Sequence, residues 1–185
     1  MKLLRTFIAI ELPPEVRTYL FQTGQKMAGN VSNRAVRWVA PENMHLTLRF
    51  LGDTPKGKLP DITAELDAIT RDFQPIRLHL DEIGCFPNRK RPRVIWAGLA
   101  GETQQLNALQ HRIEMAVESL GWKGEKRLFR PHLTIGRVKD SSQANRLAWE
   151  QQLERKAVAV TAVNLIESLL RPHGPVYTIR HVSSL

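Results

Sequence analysis

Apolar positions along the chain recur with two different periods, and each change of period marks a new element. Residues 5–12 form a mainly apolar run that Pro13-Pro14 stops, since that pair can open a helix but not continue a strand. The spacing then turns helical, with Val16, Leu20, Thr23 and Met27 on one stripe and Gly29-Asn30 at its end. A short strand over 36–39 carries Trp38. Pro41-Glu42-Asn43 turns the chain into a strand over 45–51, closed by Gly52-Asp53. Leu59, Ile62, Leu66 and Ile69 step by three, four and three, which predicts a second helix. Over 76–83, Ile76, Leu78 and Leu80 alternate with Arg77, His79 and Asp81, giving a strand with one wet face, and 94–99 is another strand ended by Gly101.

The second half repeats the scheme. Leu106, Leu109, Ile113, Val117 and Leu120 form the clearest helical stripe, capped by Gly121. A basic loop over 123–130 leads into a strand that runs to about Val138. Residues 141–156 predict a weaker helix opened by a serine cap. Strands over 158–170 and 176–182 flank Arg171-Pro172-His173-Gly174-Pro175, which has strong turn chemistry. Each half also places the same triplet on a strand: His45-Leu46-Thr47 and His132-Leu133-Thr134. Two similar α+β lobes, related by internal duplication and meeting at a cleft, account for both repeats.

Charge narrows the class of partner. With 27 Lys+Arg against 18 Asp+Glu the chain carries +9, an excess that favours polyanions, nucleic acid first. The single cysteine, Cys85, rules out an intrachain disulfide and a multi-cysteine zinc site, and its setting is structural. Lys2 and Arg5 before Phe7-Ile8-Ala9-Ile10 have the outline of a signal peptide, but Glu11 and Pro13-Pro14 cut the run short. No stretch approaches the roughly 20 apolar residues that span a bilayer. A soluble, cytoplasmic protein without a membrane partner is expected.

The triplets carry the chemistry. Side chains alternate along a strand, so His45 and Thr47 share one face roughly 7 Å apart while Leu46 and Leu48 point behind. His132 and Thr134 do the same, backed by Leu133 and Ile135. Two imidazoles near neutrality can take a proton from an attacking oxygen and give one to a leaving oxygen, each transfer typically worth about 10²–10⁴-fold. In-line displacement at phosphorus needs base and acid on opposite sides, and threonine hydroxyls suit the non-bridging oxygens. No metal is required, and one histidine per strand is poor zinc-ligand spacing. Neither a Gly-x-Ser-x-Gly elbow nor a Walker motif is present. Arg130 has the parity of His132 and Arg49 that of His45, which makes both candidates for phosphate. The run Asn88-Arg89-Lys90-Arg91-Pro92-Arg93 and the cations Lys123, Lys126 and Arg127 are candidates for flanking phosphates, with Trp38, Phe50, Phe86 or Phe129 available to stack a base. His79, His111, His173 and His181 read as helix-face or turn residues.

The segments from Trp38 to Gly52 and from Phe129 to Arg137 resemble the two motif regions of the two-histidine phosphoesterase superfamily. The resemblance is to its RNA 2′,3′-cyclic phosphodiesterases, also called 2′–5′ RNA ligases, and the tail from Glu167 to Tyr177 resembles their closing hairpin. It implies an α+β, bilobal fold over residues 1–185: two mainly antiparallel sheets with helices outside, pseudo-twofold symmetry and a central cleft. It further implies metal-independent, cofactor-free hydrolysis of an RNA-terminal 2′,3′-cyclic phosphate to a 2′-phosphate. On that pattern His45 is the proton donor, His132 the proton acceptor, and Thr47 and Thr134 bind the phosphate. RNA ends, tRNA fragments among them, are the implied partners. A monomer is expected, because the duplication supplies both halves of the site. The alternatives are a 2′–5′ RNA ligase, a phosphodiesterase of small cyclic nucleotides, and a non-catalytic RNA-binding module.

Overall fold

The strands that apolar alternation marks pair antiparallel with one another in a computed structural model that describes residues 2–29, 31–32, 34–172 and 174–185. In chain order the elements are β1 (Leu3–Glu11), α1 (Pro14–Ala28), β2 (Val36–Trp38), β3 (His45–Pro55), α2 (Leu59–Thr70), β4 (Ile76–Phe86), β5 (Val94–Gly101), α3 (Thr103–Ser119), β6 (His132–Val138), β7 (Ala157–Val160), β8 (Ala162–Arg171) and β9 (Gly174–Ser184). The class is α+β, as expected. In place of the two expected sheets the strands form one nine-stranded antiparallel sheet, continuous across β3 and β6. Their order is β7-β4-β5-β6-β3-β1-β8-β9, with β2 added to β6, and β3 joins β6 through one register pair, Leu46 with Leu133.

The connectivity forces this sheet to curl. β7 and β8 lie six places apart in the sheet, a separation of roughly 29 Å if it were flat. Only Thr161 links them, and two peptide units reach about 7 Å. The sheet therefore wraps, bringing Val158 and Val160 of β7 and Val163 and Leu165 of β8, each 0% exposed, into the same interior.

The helical stripes fill that interior. Val16, Leu20 and Met27 of α1, Ile62, Leu66 and Ile69 of α2, and Leu106, Leu109, Ile113 and Val117 of α3 join Ile8, Ile10, Leu46, Leu48, Leu133 and Ile135 in one core. Burying each such aliphatic side chain contributes about 1.5–3 kcal/mol. The opposite face of the sheet holds a much smaller cluster, Phe7, Ala9 and Ile166 with Tyr177 against it. That face is open for chemistry. Among the described residues no helix is long and apolar enough to cross a membrane, a statement that does not bear on strand-built spans.

Three expectations about elements are corrected. Only Ser141–Arg146 is helical in the 141–156 segment, and it is a 3₁₀ turn capped by the Asp140 carboxylate, which accepts from the Ser142 N–H. Beyond it the backbone donors are claimed by α1: the Ala148 N–H donates to the Met27 carbonyl and the Glu154 N–H to the Tyr19 hydroxyl. A helix there would have to give up both bonds. The run over 158–170 is two strands, because its halves pair with β4 and β1 respectively. The first motif strand continues through Gly52, at φ 69°, to Pro55. Gly29 ends α1; Asn30, expected with it, and His173 of the expected 171–175 turn lie outside the described residues.

Trp96 of β5 lies flat over Gly84 of β4, where an added Cβ would stand 2.1 Å from the indole Cζ2. Both residues are in register, and Trp96 is also opposite Thr134. Gly84→Ala is therefore expected to displace the indole and cost about 1–3 kcal/mol of stability, the usual range for overpacking. Denaturant unfolding measures the loss, and an unchanged midpoint would show that the indole does not rest there.

Candidate active site

Local sequence positions both histidines at the first residue of a strand. The 3₁₀ turn Pro41–Asn43 delivers His45 to the start of β3, and Pro131 immediately precedes His132 at the start of β6. Leu46 and Leu133, each 0% exposed, face the helices and hold the two strands together. Counting outward from this antiparallel pair sets His45 across from Thr134 and Thr47 across from His132. Each histidine faces the threonine of the other motif. Neither threonine hydroxyl has a hydrogen-bond partner among the described residues, so both are available to a ligand.

The two imidazoles are oriented alike. His45 Nδ1 lies 2.9 Å from the carbonyl of Asn43, and His132 Nδ1 lies 2.7 Å from the carbonyl of Arg130. A carbonyl only accepts, so Nδ1 carries hydrogen in both rings and Nε2 is left for chemistry. Their surroundings differ. His45 packs against Phe7 at 4.8 Å and Tyr177 at 5.3 Å, ring centre to ring centre. Burial there lowers its pKa to about 4; the Asn43 bond works against this, and the Arg137 charge adds to it. His132 instead meets the edge of Phe86 at 5.1 Å, and Phe86 leans on Trp96 at 5.2 Å. Burial also raises the pKa of the Tyr177 hydroxyl, against the pull of Arg137 and Arg5.

Immediately after each motif the strand bulges. In β3 Thr47 pairs with Ala9 and Arg49 with Ile8, so Leu48 is extra. In β6 Thr134 pairs with Trp96 and Gly136 with Ile95, so Ile135 is extra. A bulge resets the alternation beyond it. Arg49, expected beside His45, consequently turns to the helix side. It is buried, with its Nε 2.8 Å from Glu114 of α3, a longer 3.9 Å contact to Glu125, and a hydrogen bond to the Lys123 carbonyl. Its place on the open face is taken by Phe50, 61% exposed and 5.9 Å from Phe7. The same reset puts Arg137 on the open face, close enough to act electrostatically on both His45 and Tyr177. Strict alternation would turn it away. Gly136 was the available signal, because a glycine inside a strand marks a bulge or a close approach, and here Trp38 covers it at 2.9 Å from where a Cβ would sit.

Of the remaining candidates, Arg130 is exposed and free of any ion pair among the described residues, and its carbonyl orients His132. Phe86 belongs to the site. Trp38 is corrected, for it packs against Gly24 and Gly136 on the helix side, and Phe129 packs against the main core. Tyr177, Phe7 and Trp96 line the site face and were not singled out by sequence, because an aromatic residue in a strand reads first as core. His79 bonds Arg155, and His181 bonds Asp67, both away from the motifs. Cys85 is partly buried and its thiol pKa is raised by that burial.

Two histidines on adjacent strands, each facing a threonine of the other motif, define a two-histidine phosphoesterase. The family model described as LigT like Phosphoesterase matches residues 10–96 and 98–177, and the chain belongs to that family. It is 32% identical over 185 residues to an RNA 2′,3′-cyclic phosphodiesterase of Methanothermobacter thermautotrophicus, covering 98% of each chain. It is 34% identical over 182 residues to the protein of the same name from Methanocaldococcus jannaschii, covering 95% of this chain and 98% of that one. The crystal structure of TT0787 of Thermus thermophilus superposes with a TM-score of 0.81 at 32% identity, covering 98% and 97% of the two chains. E. coli LigT complexed with 3′-AMP superposes with a TM-score of 0.79 at 26% identity, covering 100% and 99%.

Arg49 ties the strand of the first motif to the loop that leads into the second. Arg49→Met removes one partner of a largely buried ion pair and is expected to cost about 3 kcal/mol. It should also free the 123–130 loop, so that trypsin cuts at Lys123, Lys126 or Arg127 faster than in the parent. Unchanged cleavage kinetics would show that the loop is held by other contacts.

Proposed function

We propose that the protein hydrolyses an RNA-terminal 2′,3′-cyclic phosphate to a 2′-phosphomonoester without a metal ion or cofactor. The observation that carries this reading is the crossed register of the two motifs, which opposes one imidazole and one hydroxyl from each strand. The relatives' names agree with it, and so do the crystal structures of E. coli LigT complexed with 3′-AMP and with phosphate.

In this reading water attacks phosphorus while the bond from phosphorus to the 3′-oxygen breaks. His132 Nε2 takes the proton that water loses, and His45 Nε2 gives a proton to the departing 3′-oxygen. Both Nε2 atoms are available because both Nδ1 atoms are committed to carbonyls. Thr47, Thr134 and Arg137 serve the non-bridging oxygens, where charge is held in the transition state, and Arg130 binds the substrate at the rim. Every proton is accounted for by the two imidazoles. With a 5′-hydroxyl in place of water, the same displacement keeps both roles and joins RNA ends by a 2′–5′ linkage, the 3′-oxygen again leaving.

Burial gives His45 a conditional role. In the free enzyme it is neutral at pH 7, since its pKa is lowered to about 4. A bound phosphodiester anion favours the imidazolium and restores the donor. The proton is thus held best when substrate is present. The reading extends to one two-lobed, pseudo-twofold domain that acts as a monomer, in the cytoplasm, on RNA ends such as tRNA fragments.

His45→Ala and His132→Ala are each expected to lower turnover of a cyclic-phosphate oligonucleotide by about 10²–10⁴-fold in EDTA, with binding largely kept. The product should carry a 2′-phosphate; a 3′-phosphate, or full activity in both variants, would overturn the mechanism. The pH dependence is equally specific. Below the lower ionisation of the pair no base is present, and above the upper one no acid is. The lower limb of kcat/KM, which reports free enzyme, should fall near pH 4, where protonation of His45 leaves the pair doubly protonated and without a base. The lower limb of kcat should lie at higher pH, since bound phosphate favours the imidazolium. Coincident limbs would show that substrate charge does not reach His45.

A further inference from the structure

An open groove of about 540 Å³ lies beyond the catalytic face, lined by Arg89 and Lys90 of the β4–β5 hairpin and by Ser141, Asn145 and Trp149 of the segment after β6. We infer that this groove binds the RNA strand upstream of its cyclic phosphate, with Arg89 holding a backbone phosphate. The inference rests on the functional reading above and adds a subsite to it.

The hairpin tip is built to present its charges. Asn88 Oδ1 accepts from the N–H groups of Lys90 and Arg91 at 3.0 and 3.1 Å, which sets the turn. The Arg93 N–H closes the hairpin on the Phe86 carbonyl, and the Arg93 carbonyl accepts from the Val138 N–H at the end of β6. Arg89 then lays its guanidinium over Trp149, 5.5 Å from the ring centre. Trp149 is itself fixed, its indole N–H donating to the Ala144 carbonyl at 2.9 Å. A guanidinium held over an aromatic face by cation–π attraction leaves N–H groups for a phosphate contact and loses less freedom on binding.

Charge balance points to an anion from outside. Among the described residues neither Arg89 nor Lys90 has an acidic partner. Asp140, on the groove segment, is turned to its own turn: Oδ1 accepts from the Ser142 N–H and hydroxyl, and Oδ2 from the Gln143 amide. Distance selects the same strand as the cyclic end. Phe86 touches His132, and Arg89 follows it by three residues, at most about 11 Å of main chain. An RNA whose terminal phosphate lies between the histidines reaches the groove within a few nucleotides.

The test compares cyclic-phosphate substrates of one and eight nucleotides on the parent, Arg89→Met, Arg89→Glu and Trp149→Leu, with Lys58→Glu as a charge-matched control on the helix side. For the eight-nucleotide substrate kcat/KM should fall about tenfold in Arg89→Glu, and its salt slope should drop by about one for the lost phosphate contact. The mononucleotide and the Lys58→Glu control should change less than about twofold, as exposed charges elsewhere contribute little. Equal losses on both substrates, or none on the longer one, would overturn the subsite. Arg89→Met keeps the stem over Trp149 and guards against a folding defect in Trp149→Leu. Fluorescence anisotropy with an unreactive 2′-phosphate octanucleotide reads the groove without turnover. Weakened anisotropy alongside a parent that hydrolyses neither substrate would leave the groove standing and reject the functional reading instead.

Discussion

The contact between Leu46 and Leu133 is the constraint on which the rest of the site depends. It is the one register pair joining the strands of the two motifs, and both side chains are fully buried on the helix side. Those leucines turn each flanking histidine and threonine to the opposite face. Antiparallel register then crosses the motifs, so each imidazole faces a hydroxyl supplied by the other half of the chain. The apolar core on one face thereby dictates the polar geometry on the other.

Bulges directly after the motifs do the second part of the work. By making Leu48 and Ile135 extra residues, they send Arg49 inward to Glu114 and bring Phe50 and Arg137 outward. Their recurrence at the same place in both strands has one structural consequence on each: an aromatic ring by Phe7 from β3, a cation acting on His45 from β6. The inward Arg49 is not idle. It holds the loop whose last residues, Arg130 and Pro131, carry the carbonyl that orients His132 and the proline that precedes it.

The pair of motifs is equivalent in register but not in environment. Aromatic packing by Phe7 and Tyr177 desolvates His45, whereas among the described residues His132 has one aromatic neighbour, Phe86. Desolvation penalises the charged imidazolium, so burial lowers the pKa of His45. An anion arriving between them acts most strongly on the more buried ring, because Coulomb interactions strengthen as solvent is excluded. The differing neighbourhoods are therefore what makes two equivalent motifs unequal.

Periodicity in the sequence was enough to place β1, β3, β6 and all three helices, and to put His45, Thr47, His132 and Thr134 on strands with apolar backs. These features are local: alternation and the stripes of Val16, Ile62 and Ile113 depend only on a residue's own chain neighbours. The excess of cations, likewise, is legible without a fold. The fates of Arg49, Arg137 and Trp38 were not legible, because a bulge exists only relative to the strand beside it, and its effect on parity follows from that pairing. Nor was the 141–156 segment, whose helical propensity loses to donors bonded across the fold to Met27 and Tyr19. The twin triplets by themselves placed two histidines, each with a threonine, on strands as a candidate site. Only the tertiary structure decided which threonine each histidine faces and which histidine is desolvated, since register and burial belong to pairs of segments distant in the chain.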